Sequence, residues 1–479
     1  DRLPNMKKIV VIDDYHPRNL PNVCSFNDFL EIGRKYGEKH PDQFQTLIRE
    51  SQPDEIISFT YTSGTTGDPK AGMYTSRNII AGGKALPDAT GVTADDLYVC
   101  FLPLAHIAER LIGHFLRFFV GNPAVFAESM EDMPQNIRQT GPTFVFGTPR
   151  VWEKFYAKII TGVGDASWFQ QKIYHWAIGV GKAFTEDRDA NKKPSSWLKL
   201  KHKVAKFFIH DKIKDIFGGR IRYMLTGAAP ISKEIIHYFN WVGIHVFEGY
   251  GMTETSGVIT IQSEGNVKIG SVGRVPSGTE IKIMEDGEIC CRGEQNISGY
   301  YKNEIATNEL LKADGEGGFW LHTGDVGHID EDGFLFITDR KKDIIITAGG
   351  KNIAPQNIEN LMKTSPYISQ ALVYGDKKPY LTMLITLDED EITKFARDIK
   401  ILYQDLADLT TKEEVIDLLN HVIKEKNKDL ASYESIKKFR ILKEELDQDK
   451  DEVTPTLKVK RKVVIAHNED LIEGMYSGR

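Results

Sequence analysis

The chain has 479 residues, of which 41% are hydrophobic and 27% charged, and its formal net charge is −7. This length exceeds one ordinary hydrophobic core and predicts two or more domains, and the composition excludes a disordered or fibrous protein. A net negative charge gives no general reason to expect a nucleic-acid partner.

The cysteines point to a reducing compartment. Cys24, Cys100, Cys290 and Cys291 have neither metal-ligand spacing nor the density of a disulfide scaffold. We therefore expect a cytoplasmic protein in which all four thiols are structural.

The first half of the chain alternates strand and helix patterns. A strand is predicted at "KKIVVID" and another ends at Tyr61, and apolar runs then alternate with helical stretches as far as "IRYMLTGAAP". Strands separated by helices indicate βαβ units and a mostly parallel sheet, whose ligands lie at the C-terminal ends of the strands.

A basic amphipathic helix is predicted over residues 197–217. Its apolar residues Leu200, Val204, Phe207 and Phe208 follow helical spacing, and six lysines lie among them. The pattern is typical of a surface helix packed on a core, and a helix that contacts an anionic membrane surface is the less common alternative.

The pattern of apolar residues changes after Gly265. Short apolar runs broken by glycine continue to Asp339, and Asp-Gly pairs at 286–287 and 332–333 predict hairpins, so we expect a small antiparallel unit here. After "DRKKD" a new pattern begins, with strands "DIIIT", "ISQALVYG" and "YLTMLITL" and helices near 355–364 and 412–431. The boundary predicts a large domain over residues 1–341 and a small α+β domain over residues 342–479.

The stretch "YTSGTTGDPK", which ends at Lys70, is rich in small and hydroxyl residues after a strand. Small residues let backbone N–H groups converge on an anion, hydroxyls add donors and a lysine supplies charge, so the stretch could hold a triphosphate. It is not a Walker A loop, because Asp68 and Pro69 follow Gly67 where that pattern needs Lys and Ser or Thr. Taken alone, it is also typical of an ordinary loop.

Three other blocks carry nucleotide chemistry. "YGMTET" places an aromatic residue that could cover a base beside Glu254, a carboxylate that could hold Mg²⁺ near phosphates. "HTGD" supplies Asp325 and "TDRKKD" supplies Arg340, and a carboxylate is a natural partner for ribose hydroxyls.

These blocks, in this order, resemble the acyl-adenylate-forming superfamily from about residue 50 onward. "PLAHIAERL", "GTPRVWEKFYAKI", "GAAPISKEII" and "TPTLKVKRK" resemble its long-chain fatty acyl-CoA synthetase branch, including the bubblegum-type members. The resemblance implies an α/β fold: a large adenylation domain with mostly parallel sheets and a small antiparallel β subdomain, then a small mobile α+β C-terminal domain. Members carry a sizeable segment before the strand that matches "KKIVVID", so we expect residues 1–341 to be N-terminally incomplete.

The resemblance implies an ATP-dependent long-chain fatty acid:CoA ligase that forms an acyl-adenylate and releases AMP and pyrophosphate. Its substrates are ATP with Mg²⁺, a long-chain fatty acid and coenzyme A. The alternatives are an adenylating enzyme that passes the acyl group to a carrier protein, and a silent binding protein of the same fold. A peripheral contact with the cytosolic face of a membrane is a further expectation, whereas chain-length preference and oligomeric state have no signal in the sequence.

The resemblance also implies site residues. The β- and γ-phosphates are held by Thr62, Ser63, Gly64, Thr65, Thr66 and Lys70. The base and ribose are held by Gly227, Ala228, Ala229, Pro230, Tyr250, Gly251, Thr253, Asp325 and Arg340.

The chemistry is assigned to fewer residues. By the same resemblance Lys458 is the catalytic lysine, Glu254 binds Mg²⁺, and His106 of "PLAH" lies near the reacting carboxylate, although a structural histidine is the alternative there. Lys342 is the hinge about which the C-terminal domain rotates. Gly349 and Gly350 of "TAGGKN" are expected to let the thiol of coenzyme A approach closely.

Overall fold

The structure is a computed structural model that describes residues 6–12, 22–62, 69–190, 192–315, 317–454 and 459–477. The chain forms two compact units, Asp1–Glu55 and Ile56–Arg479. In the first, a parallel strand pair precedes two helices: β1 (Ile9–Val11), β2 (Val23–Ser25), α1 (Phe26–Lys39) and α2 (Gln43–Glu50). Ser25 begins α1 by accepting a hydrogen bond from the Asp28 amide.

The second unit opens with an antiparallel hairpin, β3 (Ile56–Thr62) and β4 (Lys70–Thr75), followed by α3 (Ser76–Thr90). Thr75 and Asn78 form a reciprocal capping box at the start of this helix.

Alternating strands and helices follow. They are β5 (Tyr98–Cys100), α4 (Ile107–Glu109), a π-helical segment (Arg110–Phe115), α5 (Leu116–Val120), β6 (Ala124–Phe126), α6 (Met133–Thr140), β7 (Phe144–Gly147), α7 (Pro149–Gly164), α8 (Trp168–Asp189), α9 (Ser196–Ala205), a second π-helical segment (Lys206–His210), α10 (Asp211–Ile216), β8 (Tyr223–Thr226), α11 (Lys233–Trp241), β9 (His245–Tyr250) and β10 (Thr260–Ile261).

Six of these strands form one sheet in the order β10-β9-β8-β7-β5-β6, and every neighbouring pair is parallel except β10 with β9. Alternate residues of β7 and β8 pack into separate cores: Val145 and Met224 lie on the face covered by α7 and α11, and Phe144 and Tyr223 on the face covered by α3 and α5. Both faces are therefore buried, which is why these strands read as continuous apolar runs. The predicted mostly parallel sheet is confirmed.

An antiparallel sheet comes next, as predicted. Its elements are β11 (Thr279–Ile283), β12 (Glu288–Gly293), α12 (Glu304–Leu310), β13 (Leu311–Ala313), β14 (Phe319–Ile329) and β15 (Leu335–Arg340). Gly287 and Gly333 take φ of +80° and +81° in the turns between β11 and β12 and between β14 and β15. These left-handed conformations are what the Asp-Gly pairs predict.

The remaining residues form the predicted α+β pattern. The elements are β16 (Ile345–Ile346), β17 (Asn352–Ile353), α13 (Pro355–Met362), β18 (Ile368–Tyr374), β19 (Leu381–Leu387), α14 (Glu389–Asp398), α15 (Leu406–Leu409), α16 (Glu413–Lys426), β20 (Ile436–Ile441), α17 (Arg461–His467) and α18 (Glu469–Tyr476). Here β18 pairs with β19 antiparallel, and β19 with β20 parallel.

All four cysteines are free thiols. Cys290 and Cys291 are both fully buried on opposite faces of β12, and burial raises the pKa of each thiol to about 12. The structural role predicted for this pair agrees with such inert thiols.

The helix predicted over residues 197–217 is present, but it does not pack through the residues whose spacing suggested packing. Leu200, Val204, Phe207 and Phe208 are exposed, whereas Ala205 and Ile213 are buried against the rest of the fold. That part of the packing interpretation is wrong, because a different stripe of the helix faces the core. Within the described ranges, no helix combines the length and the apolar character needed to cross a bilayer.

Candidate functional site

Three of the predicted nucleotide-binding residues meet beside the C-terminal end of β9. The Tyr250 hydroxyl donates to Asp325 Oδ2 at 2.7 Å, and Arg340 Nε donates to Asp325 Oδ1 at 3.0 Å. Asp325 and Arg340 are direct partners in the pairing of β14 with β15. Burial and the adjacent Asp325 charge raise the pKa of Tyr250, so the phenol stays a neutral donor.

Around this cluster, two glycines pack closely against the backbone of neighbouring segments. A Cβ at Gly227 would lie 2.8 Å from the Gly249 carbonyl oxygen, and one at Gly251 would lie 2.2 Å from that of Gly257. Neither position can accept a side chain without a backbone shift. Ala228, two residues after the end of β8, adopts φ of +68°, a left-handed conformation that is strained for alanine.

Ala229 and Pro230 continue this exposed loop. Asn360 of α13 donates from Nδ2 to the Pro230 carbonyl oxygen at 3.0 Å. The loop is therefore in contact with residues 342–479.

Glu254 lies in a short 3₁₀ turn, Thr253–Thr255, and is buried. Its Oε1 accepts a hydrogen bond from the Tyr300 hydroxyl, and the Tyr74 hydroxyl donates to the Thr253 carbonyl oxygen at 2.5 Å. The Lys70 ammonium lies 5.3 Å from the centre of the Tyr300 ring. Glu254 and Lys70, to which the resemblance assigns metal and phosphate, thus both contact Tyr300.

A single carboxylate is enough for the predicted magnesium ion, which usually keeps waters and phosphate oxygens as its other ligands. Within the described residues no three His, Cys, Asp or Glu side chains converge as a metal site. The Glu254 carboxylate fits a metal that arrives with a nucleotide, because the nucleotide phosphates supply other ligands of that metal.

Sequence reasoning missed Tyr300. This residue lies in the connection between β12 and α12 and is aligned with Glu254 because the segment pairs with β4: the Met73 amide donates to Gly299 O at 3.0 Å and the Tyr301 amide to Ala71 O at 2.8 Å. "SGYY" has no spacing that marks it, so no sequence signal was available.

The predicted phosphate-binding loop connects β3 to β4. Thr62 and Lys70 are paired across the hairpin, with Thr62 Oγ1 3.4 Å from the Lys70 carbonyl oxygen. The predicted residues between them, Ser63, Gly64, Thr65 and Thr66, lie outside the described residues.

His106 is half-buried at the start of α4. Its Nδ1 accepts a hydrogen bond from the Ala108 amide at 3.3 Å, so the neutral ring carries its proton on Nε2. One turn on, Arg110 donates to Ser58 Oγ at 2.6 Å and to Thr60 Oγ1 at 3.3 Å. These contacts hold the "PLAH" segment against β3.

Glu109 lies fully buried beneath this segment. Its two carboxylate oxygens each lie 3.0 Å from the Tyr98 hydroxyl, and burial raises the pKa of Glu109 to about 7. The carboxyl group fixes the π-helical turn onto β5.

The predicted hinge residue and the predicted coenzyme A residues are not joined to this cluster. Lys342 lies in an exposed turn after β15, and Gly349 and Gly350 form an exposed turn in which the Gly350 amide donates to Thr347 O at 2.9 Å. Among the described residues no hydrogen bond links that turn to Tyr250, Asp325 or Glu254. Lys458 lies outside the described residues.

The chain directly after Lys458 is anchored by an arginine that sequence reasoning also missed. Arg461 Nη2 makes a bidentate contact with Glu359, at 2.6 and 2.8 Å, and its Nη1 donates to Val373 O at 2.8 Å. Lys460 is paired with Asp451.

Comparisons with known proteins identify the family of the chain. A family profile described as AMP-binding enzyme matches residues 6–301, and one described as AMP-binding enzyme C-terminal domain matches residues 342–479. A long-chain-fatty-acid–CoA ligase, FadD15 of Mycobacterium bovis, is 37% identical over 90% of this chain and 70% of its own length. The long-chain-fatty-acid–CoA ligase ACSBG2 of Xenopus laevis is 33% identical over 99% of this chain and 67% of its own length.

The fold has solved counterparts. The anthranilate CoA ligase AuaEII, in complex with anthranoyl-AMP, superposes with a TM-score of 0.66 at 18% identity over 99% of this chain and 76% of its own. At that identity the likeness speaks for the fold alone. The profile match over most of the chain and the two relatives above 30% identity show that the chain belongs to the AMP-binding enzyme family.

Proposed function

We propose that this chain is an ATP-dependent fatty acid:CoA ligase of the AMP-forming type, with long-chain acids as substrates. The observation that carries the proposal is the convergence of Tyr250, Asp325 and Arg340 at the end of β9, one turn before Glu254. The long-chain ligases named above support the same reaction and the substrate class.

In the first half-reaction a fatty acid carboxylate oxygen attacks the α-phosphorus of ATP. The new C–O–P linkage forms as the bond from the α-phosphorus to the bridging oxygen breaks, and pyrophosphate leaves with that electron pair. Charge accumulates on the phosphate oxygens, so fixed donors and cations supply most of the catalysis.

We assign the protein's part as follows. Asp325 and Arg340 bind the ribose, Tyr250 covers the base, and Lys70 stays near the terminal phosphates. Glu254 would hold Mg²⁺, which would neutralise phosphate charge when bound. Lys458 contacts the reacting carboxylate and the α-phosphate.

In the second half-reaction the thiol of coenzyme A loses its proton to solvent and its sulfur attacks the acyl carbon. The acyl C–O bond breaks, AMP leaves, and a thioester remains. We propose that residues 342–479 rotate about Lys342 between the two steps, so that Gly349 and Gly350 replace Lys458 at the site.

We further propose that the enzyme works in the cytoplasm and takes its substrate from the cytosolic face of a membrane. Long-chain acids partition into lipid, so the enzyme gains by working at that surface.

Product analysis tests the proposal. With ATP, a long-chain acid and free coenzyme A, we expect AMP, pyrophosphate and acyl-CoA in equal amounts. Release of ADP would contradict the adenylation chemistry, and steady AMP release that needs a carrier protein instead of coenzyme A would contradict the ligase assignment.

A further inference from the structure

The outer face of α9 and the π-helical segment after it carries an uncovered apolar stripe. We define the exposed stripe as Trp197, Leu200, Val204, Phe207 and Phe208; the first four follow each other at steps of three or four residues, and Phe208 adjoins Phe207. They are 63%, 53%, 40%, 72% and 48% exposed. Contiguous apolar surface of this kind marks a binding surface in a folded protein.

The opposite face holds the helix firmly in the fold. Ala205 is fully buried and packs with Ala177 and Val180 of α8, and His210 Nε2 lies 3.1 Å from the Ala177 carbonyl oxygen. The exposed stripe is therefore presented by a helix whose other face is already docked.

Lysines surround the stripe. On the regular helix α9, at 100° per residue, Lys199 and Lys203 project on one side of the stripe and Lys201 on the other. Residues 196–216 contain six lysines and two aspartates, a local charge of +4 on a chain whose net charge is −7. Lys201 also places its ammonium 5.2 Å from the centre of the Trp197 ring.

We propose that the exposed stripe is a docking surface for an anionic lipid bilayer. Large apolar side chains along the middle of a helix with lysines on both flanks match a helix that lies in the plane of the membrane interface. The long lysine stems let the ammonium groups reach lipid headgroups while the stripe enters the acyl boundary.

Other occupants fit less well. A second copy of the chain would oppose the same positive charge across a twofold contact, which is unfavourable. A single convex helix also offers no groove for a peptide. The inference concerns binding alone and holds whether or not the proposed activity is correct.

Vesicle co-sedimentation of the full chain tests this surface. We expect binding at low salt to vesicles that mix phosphatidylserine with phosphatidylcholine, weak binding to phosphatidylcholine alone, and release at high salt. The double variant F207S/F208S and the double variant K203Q/K206Q should each lower the vesicle-bound fraction by at least about tenfold.

Matched controls keep the comparison specific. Leu402, which is 90% exposed outside this surface, provides the variant L402S, and the exposed Lys424 and Lys437 provide K424Q/K437Q. Both should bind vesicles like the unaltered protein. Unchanged circular dichroism in every variant would show that all are folded.

Three results would overturn the proposal. They are no binding to anionic vesicles at low salt, equal binding by the stripe variants and the unaltered protein, and sedimentation that depends on the stripe when no vesicles are present. The last result would indicate self-association instead.

Discussion

The Asp325 carboxylate, which we propose binds the ribose, is held in a fixed orientation. Its two carboxylate oxygens accept hydrogen bonds from Tyr250 and Arg340, which lie on two other strands, and the group is almost fully buried. Reorganisation on binding is small when donors and acceptors are already fixed, and this favours catalysis by electrostatic placement.

Lys458→Ala should slow acyl-adenylate formation by about 100-fold or more, because a cation at the developing α-phosphate charge contributes a few kcal/mol. Thioester formation from pre-made acyl-adenylate should survive. Rapid quench of each half-reaction measures the two rates separately.

Lys460→Ala is the matched control for that experiment. Because Lys460 already pairs with Asp451, its loss should leave acyl-adenylate formation within a few fold of normal. Equal losses in both half-reactions of the Lys458 variant, or a larger loss from Lys460→Ala, would refute the assignment.

Glu248 makes stability depend on pH. It lies buried on β9 with no hydrogen-bond partner for Oε2, and burial raises its pKa to about 8, against 4.5 for the ordinary carboxyl group. Because the pKa is higher in the folded state, the contribution of Glu248 to the free energy of unfolding is fully present when the pH is below the ordinary carboxyl pKa. This contribution is lost as the pH rises towards 8, by up to about 1.4 kcal/mol per pH unit.

The melting temperature of Glu248→Gln, measured relative to that of the unaltered protein, should therefore rise as the pH increases from 5 to 8. Thermal melts across that interval measure the difference in midpoint. Glu264→Gln, at an exposed position, is the control and should show no such trend. Parallel midpoint curves for Glu248→Gln and the unaltered protein would contradict the prediction.

Helix α7 makes several contacts between the parallel-sheet region and residues 342–479. Arg150 donates to Ser369 Oγ at 2.6 Å, Glu153 lies 3.3 Å from the Lys363 ammonium, and Thr161 donates to Glu391 at 2.6 Å. A rotation about Lys342 must break these contacts. They therefore favour the orientation seen in the structure.

Lys363→Met should change the balance of the half-reactions. The Glu153 side chain is 3% exposed, so removing its partner weakens this contact, at most by about 3 kcal/mol. We expect the half-reaction that uses the observed orientation to slow relative to the other by at least about fivefold. The two single-turnover rates give the ratio.

Lys426→Met is the control, because its ion pair with Glu234 at 3.1 Å is partly exposed and contributes less than about 1 kcal/mol. A ratio unchanged in both variants would mean that turnover does not break this contact.

Lys342→Pro should block the rotation. The proline ring fixes φ at about −65°, and it also restricts the backbone conformation of the preceding residue, Lys341. If the chain is held in the adenylation orientation, acyl-adenylate forms and thioester does not. Lys342→Ala, which keeps backbone freedom, should support both steps, and normal overall turnover by the proline variant would exclude Lys342 as the hinge.

The molecule as a whole is proposed to act on long-chain acids, and chain length gives its clearest test. Each methylene of a buried acyl chain contributes about 0.8 kcal/mol, so kcat/KM should rise roughly fourfold per methylene until the binding surface is filled. AMP release measured across saturated acids from hexanoate to palmitate gives this series. A maximum at hexanoate, or preference for an aromatic acid, would contradict the long-chain proposal.

Local patterns were enough for most of the architecture. The apolar runs of β7 and β8, the Asp-Gly turns before β12 and β15, and the change of texture after "DRKKD" each involve neighbouring residues, whose conformational preferences act over a few positions. The predicted parallel sheet, antiparallel sheet and α+β pattern all follow from them. The order of the motifs likewise predicts that Tyr250, Asp325 and Arg340 share one site, and in the structure Tyr250 and Arg340 both donate hydrogen bonds to Asp325.

Contacts between distant segments had no such signal. Tyr300 lies 46 positions beyond Glu254 and Arg150 lies 219 positions before Ser369, and helical spacing could not say which stripe of α9 faces the core. Amphipathic periodicity gives the faces of a helix but not what covers each of them, because that depends on the packing of elements far apart in the chain. The exposed stripe and the partner of Glu254 were therefore set by tertiary packing.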